Sequence, residues 1–250
     1  MDLTFRIADT INLDKLATDN AESYTAAHPY PYAIFENFLP PGVLSMVLRE
    51  FPSPEEWPSS WGRRNDTYQN KYGSRGRAEI GEFTNHLIDQ LNGPEFIAFL
   101  EKLTGIKGLH PDPELVGAGL HQITKGGYLA IHADFNKTNH RDRRLNFLLY
   151  LNENWEEGWG GHFEMWNKTC THKERSILPL FNRCVIFNTD ETSFHGHPKP
   201  LRCPPDRTRK SIALYYYTKG VREDQVSDRF RTEYVDTNWK IPPEKKIKLM

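Results

Sequence analysis

Tyr128-Leu129-Ala130-Ile131-His132-Ala133-Asp134 has the two-residue alternation of a β-strand, and runs of the same kind recur through the second half of the chain. Arg144 to Leu151, His162 to Trp166, Cys184 to Thr189 and Arg209 to Thr218 are short and separated by Gly, Pro and Asn clusters. That spacing predicts an all-β sandwich or barrel after Gly105. Upstream, the period becomes helical. Val43, Leu44, Val47, Leu48 and Phe51 follow Pro40-Pro41 and stop at Pro52. Phe83, Leu87, Ile88 and Leu91 share a face up to Asn92-Gly93, while Phe96, Ile97, Leu100 and Leu103 run from Pro94 to Gly105. Ser59 to Arg77, rich in Gly, Arg, Asn and Tyr, has neither period and reads as a long loop. The expectation is one domain over 1–250: 1–105 mainly helical support, 106–220 a β core and 221–250 a C-terminal extension, with Lys240 to Lys248 a solvated tail.

The 32 basic and 33 acidic residues leave a formal charge of -1, which supplies no general electrostatic reason to bind nucleic acid or an anionic membrane. With 38% hydrophobic and 12% aromatic residues, the composition is that of a folded globular protein. Met1 to Leu16 has no uninterrupted apolar core, so neither a secretory signal nor a membrane span is expected there. Cys170, Cys184 and Cys203 are an odd set without CxxC spacing, which suits a reducing compartment. These features together predict a cytoplasmic protein.

Residues two apart on a strand point to one face, so His132 and Asp134 place an imidazole beside a carboxylate, with Leu129, Ile131 and Ala133 on the apolar face. Taken alone, the pair fits a solvated strand face as well as a metal site. Ser193-Phe194-His195-Gly196-His197-Pro198, near the end of a strand carrying Val185 and Phe187, could complete one. Two histidines and a carboxylate leave three corners of an octahedron open. On the last strand, Arg209, Ser211 and Ala213 share a face, setting a guanidinium beside small side chains. Such an arrangement is a carboxylate slot, or equally an exposed strand arginine.

The ordered set Gly126-Gly127-Tyr128, His132-Ala133-Asp134, Arg143 to Asn152, Trp159-Gly160-Gly161-His162-Phe163-Glu164, Asn182 to Phe187, His195-Gly196 and Arg209-Lys210-Ser211-Ile212 resembles the prolyl-hydroxylase-type 2-oxoglutarate/Fe(II)-dependent oxygenase superfamily. The likeness covers roughly residues 115 to 219, and more loosely Phe35-Glu36-Asn37-Phe38-Leu39. It implies a mainly β fold with helical support, a double-stranded β-helix (jelly roll) with the N-terminal helices packed on one sheet. By the same resemblance, His132, Asp134 and His195 are the catalytic iron ligands. Arg209 holds the C5 carboxylate of 2-oxoglutarate, and Tyr150 hydrogen-bonds it. Alternation agrees, since Asn146, Leu148 and Tyr150 share a face opposite Leu145, Phe147, Leu149 and Leu151. His197 is an alternative to His195, because a His-x-His pair does not itself select one ligand; the family pattern favours His195.

The resemblance also implies Fe(II), 2-oxoglutarate and O2 as cofactor and cosubstrates, with stimulation by ascorbate. The reaction would hydroxylate an unactivated C–H bond of a prolyl or other amino-acid, peptide or small natural-product substrate. It would be coupled to decarboxylation of 2-oxoglutarate to succinate. Asp134 favours hydroxylation over halogenation, in which a small residue stands in its place. Two rivals are a cupin-like metalloprotein with non-oxidative chemistry and a non-catalytic binding module on the same fold. Gln122, Tyr128, His162, Glu164 and Trp166 could reach the cavity or simply serve core and surface. Ser59 to Arg77 is a candidate lid, whose Trp61, Arg63, Arg64, Tyr68, Tyr72, Arg75 and Arg77 would suit a substrate with an anionic group.

Overall fold

The computed structural model describes residues 3–56, 67–134, 137–138, 141–220 and 233–235. Its elements run α1 (Leu13–Ala26), β1 (Tyr32–Phe35), α2 (Pro41–Glu50), β2 (Tyr68–Gly73), α3 (Glu82–Leu91), α4 (Pro94–Thr104), β3 (His110–Pro111), β4 (Gly119–Ala133), β5 (Lys137–Thr138), β6 (Arg141–Tyr150), β7 (Phe163–Trp166), β8 (Lys173–Ile177), β9 (Cys184–Asn188), β10 (His195–His197), β11 (Arg209–Lys219) and β12 (Glu233–Tyr234). Among the described residues, the strands form one sheet whose main order is β1-β9-β6-β11-β4-β10-β7-β8. The sheet curls into the jelly roll expected of the sequence. Each pairing is antiparallel, as in β11 with β6 and β10 with β4.

Local chemistry sets the helix ends. Pro41 and Pro94 start α2 and α4 where an N–H has no helical partner, and Gly105 closes α4 in the left-handed region at φ 75°. The helix α1 was not evident from apolar spacing, because Leu13, Ala17 and Tyr24 are its buried residues. Asn12 caps it by accepting from Lys15 N, and the Tyr24 hydroxyl donates to Asn188 Oδ1 at 2.7 Å, tying the helix to the sheet.

The two faces of the sheet part as the alternation predicts. Leu145, Phe147, Leu149 and Leu151 join Ile212, Leu214 and the helical residues Phe96, Phe99 and Leu100 in one core. There the Phe96 and Phe147 rings meet edge to face with centroids 5.7 Å apart. Each ring removed from water contributes about 1.5–3 kcal/mol, so this layer anchors the helices to the back of the sheet. The opposite face encloses a cavity of about 640 Å³ into which Asn146, Leu148 and Tyr150 project.

The stretch 59–77 departs from the loop reading where it is described. Residues Tyr68–Gly73 form β2, paired with the long β4 through Tyr68↔Leu129 and Lys71↔Ile123. Both faces of β2 carry polar side chains, so no period marked it; its pairing comes from the otherwise open edge of β4. Arg77 is not a free lid cation either, because it pairs with Asp89 at 2.7 Å. Trp61, Arg63 and Arg64 lie outside the described residues, as do His140 and the Lys-rich tail.

Candidate active site

The strands β4 and β10 bring the two histidines face to face. His132 and His195 are register partners with ring centroids 4.4 Å apart. Asp134 follows at the end of β4, with its Oδ1 3.7 Å from His132 Nε2 and its Oδ2 3.6 Å from His195 Nε2. One ligand atom from each of His132, Asp134 and His195 lies within 4.8 Å of the others.

The donor chemistry fits a divalent metal. His132 Nδ1 lies 2.8 Å from the Ala130 carbonyl and His195 Nδ1 lies 2.8 Å from the Ser193 carbonyl. Since a carbonyl only accepts, each Nδ1 carries the proton, leaving the Nε2 lone pair beside Asp134. Burial, foremost, and the neighbouring His195 push His132 down to about 3, so its ring is neutral and ready to coordinate. For Asp134, burial would raise the pKa. Arg143 and the two imidazoles outweigh burial and hold the carboxyl well below its ordinary value. Arg143 Nη1 sits 3.1 Å from Asp134 Oδ2, and Asn146 Nδ2 donates to the same oxygen at 2.9 Å. Phe163 and Phe187 flank His195, with ring centroids 5.5 and 4.8 Å away, and leave that imidazole little room to turn.

Across the cavity, Arg209 is buried on β11. Its Nε donates to the Gly161 carbonyl at 2.7 Å and its Nη2 to the Tyr150 hydroxyl at 3.2 Å. The remaining terminal nitrogen has no bonding partner among the described residues, which leaves donor capacity for a ligand. A Cβ on Gly161 would stand 3.0 Å from Arg209 Cδ and 2.6 Å from Leu201, and the glycine's φ is 72°, so both space and backbone require glycine there. Gly196 has a similar reason, since a Cβ would come within 2.7 Å of the Ala130 carbonyl where β10 crosses β4.

Thus His132, Asp134, His195, Tyr150 and Arg209 all line the same cavity, and so does His197. Several cavity residues were not picked out from the sequence: Lys71, His121, Arg143, Asn146 as a partner of Asp134, and Tyr234. Two bulges explain part of this. Between Tyr216 and Tyr217 of β11, the partner changes from Leu145 to Arg143, so β6 carries one extra residue. Arg143 is thereby turned from the Leu145 face to the cavity, where its guanidinium lies 3.8 Å from the Tyr215 ring centre. Likewise His195↔His132 and His197↔Leu129 span two residues on β10 but three on β4, which returns Leu129 to the cavity side rather than the apolar face with Ile131. Tyr234 comes from β12, its ring centroid 5.2 Å from that of His132, and no local pattern announces it.

Other expectations change. On β7, Phe163 faces the cavity, whereas Glu164 accepts from Trp166 Nε1 and Lys173 Nζ, each at 3.1 Å, and is not a mouth residue. Gln122 is buried against Thr208, outside the cavity. Among the described residues no disulfide is formed, and no helix is long and apolar enough to cross a membrane.

His121 lines the cavity and is pushed down to about 3, first by burial and then by Lys71. A histidine depressed below its unfolded value lets the unfolded chain bind more protons, so stability falls as pH drops from about 6.5 toward 3. His121→Leu should therefore flatten the slope of metal-free stability over that window by close to one proton, read from urea unfolding at a series of pH values. An unchanged slope would contradict the assignment.

A jelly roll with two histidines and one carboxylate gathered in its cavity has the architecture and donor set of a non-haem iron oxygenase. Comparison with known proteins agrees: residues 118–217 match the model of the 2OG-Fe(II) oxygenase superfamily. The chain is 28% identical over 128 residues to prolyl 3-hydroxylase OGFOD1 of Mus musculus, an alignment covering 49% of this chain and 22% of that protein. The chain thus spans about a fifth of the length of that relative. Among solved structures, a prolyl hydroxylase from Trichoplax adhaerens, in complex with a hypoxia inducible factor oxygen degradation domain peptide fragment, superposes with a TM-score of 0.59 at 17% identity. That superposition covers 87% of this chain and 96% of that one. A Pseudomonas putida prolyl-4-hydroxylase gives 0.57 at 15% identity, covering 82% and 100%. At these identities the structural likeness establishes the fold.

Proposed function

We propose that the chain is an Fe(II)- and 2-oxoglutarate-dependent hydroxylase of an unactivated C–H bond, with His132, Asp134 and His195 as metal ligands and Arg209 and Tyr150 as the cosubstrate's anchor. The observation that carries this reading is the gathering of both sets of groups in one cavity. Iron, when bound, would supply the oxidising chemistry from O2 and 2-oxoglutarate. The chain's own residues do the rest. The carbonyls of Ala130 and Ser193 fix the imidazole tautomers, Arg143 and Asn146 hold Asp134 ionised and oriented, and Arg209 with Tyr150 aligns a carboxylate. Anaerobically reconstituted protein should convert 2-oxoglutarate to succinate once O2 is admitted, with ascorbate sustaining turnover. Absence of succinate in the iron-loaded protein would favour the cupin-like or binding-module reading.

The substrate is read as a prolyl or other amino-acid residue in a peptide, or a small molecule, bearing an anionic group. Lys71 supports this. It lines the cavity, its pKa is lowered by burial and, against the pull of Asp134, by Arg209 and Arg143, and its ammonium has no hydrogen bond or ion pair among the described residues. An unpartnered ammonium beside a reaction cavity suits a carboxylate or phosphate. Succinate release should be screened with prolyl peptides, acidic peptides, free amino acids and small anionic natural products. For whichever is turned over, Lys71→Met should raise the KM for that substrate about tenfold or more while leaving the KM for 2-oxoglutarate near its parent value. The opposite split would place Lys71 on the cosubstrate. A cytoplasmic site of action is supported by Cys184 and Cys203, buried thiols that form no disulfide.

A further inference from the structure

His197 is 3% exposed, yet neither of its ring nitrogens has a hydrogen-bond partner among the described residues. Buried polar groups are nearly always paired, and an unpaired one is a standing cost to the fold. Leucine or valine would fill such a strand position without that cost. The imidazole therefore calls for a partner that binds.

Metal is not that partner. The ligand atoms of His132, Asp134 and His195 converge, and His197 is not part of that cluster. The extra residue on β4 opposite β10 shifts the register between His195 and His197. His197 instead shares the cavity with Arg209, whose charge bears on it more than those of Lys71 and His132. A dicarboxylate held between the metal ligands and Arg209 would share with this ring the cavity that all of them line. Whichever tautomer is present, one nitrogen carries a proton that only an acceptor can satisfy.

We infer that His197 is a cosubstrate-binding residue, donating an N–H hydrogen bond to the 2-oxoglutarate carboxylate that Arg209 holds. The inference rests on the reading of the cavity given under Proposed function, and its test separates the two. The full chain is loaded with Mn(II), which binds such sites without turning over, and 2-oxoglutarate is titrated calorimetrically. His197→Leu should retain Mn(II) affinity within about twofold and melt at a higher temperature when metal-free, because the unpaired group is gone. It should bind 2-oxoglutarate about ten- to a hundredfold more weakly. His197→Asn, which keeps a donor, should lie between parent and His197→Leu, and it serves as the probe if the leucine variant fails to fold. The inference is overturned if the parent binds 2-oxoglutarate and both variants bind it equally well, or if His197→Leu loses Mn(II), which would make His197 a ligand. A parent chain that binds Mn(II) but no 2-oxoglutarate overturns the cosubstrate reading and this inference together.

Discussion

Asp134→Ala is expected to abolish both metal binding and 2-oxoglutarate decarboxylation, since it removes the only carboxylate of the three-residue cluster. The structure adds a second consequence. Arg143 is buried, and its Nη1 lies 3.1 Å from Asp134, so removing the carboxylate leaves an uncompensated guanidinium in the interior. Breaking one side of such a pair costs roughly 3–5 kcal/mol, softened here by the Tyr215 ring against the guanidinium. Metal-free Asp134→Ala should therefore unfold at lower urea than the parent. His132→Ala should lose metal equally and leave no unpaired charge. Mn(II) calorimetry and urea unfolding on both variants check the pair of effects. Retention of metal-dependent decarboxylation by Asp134→Ala would remove the proposed site.

Arg209→Ala should weaken 2-oxoglutarate binding by two orders of magnitude or more while sparing the metal. A charged hydrogen bond is worth about 1.5–3 kcal/mol, which is roughly ten- to 150-fold. The alanine also strands the Gly161 carbonyl and the Tyr150 hydroxyl that Arg209 now bonds, so its loss should exceed that of one bond. Arg209→Lys keeps the charge but not the planar fork, and should fall between the two. Calorimetric titration with 2-oxoglutarate measures each step. Lys210 cannot take over, for it projects to the other side of β11, its ammonium bonded to Thr208 and 5.6 Å from the Phe51 ring centre. Unchanged affinity in Arg209→Ala would shift the anchor to Lys71, which shares the cavity.

Much of the architecture was legible along the chain because period and spacing are local properties. The alternation of Arg144 to Leu151 forecast which residues of β6 would meet the helices and which the cavity, and Pro94 and Gly105 bounded α4. His132, Asp134, His195, Arg209 and Tyr150 were named through the resemblance, whose motifs follow one another along the chain, and all five line one cavity. The tertiary structure alone decided what surrounds them. A bulge on β6 reverses the parity that would bury Arg143 with Leu145, and another on β4 returns Leu129 to the site. Lys71 and Tyr234 reach the cavity through pairing of β2 and β12 with β4, and the choice between His195 and His197 turns on the register of β10 against β4. Side-chain period is written residue by residue in the sequence; bulges and edge pairing depend on which distant backbone offers free N–H and C=O groups, and that is fixed only when the sheet closes.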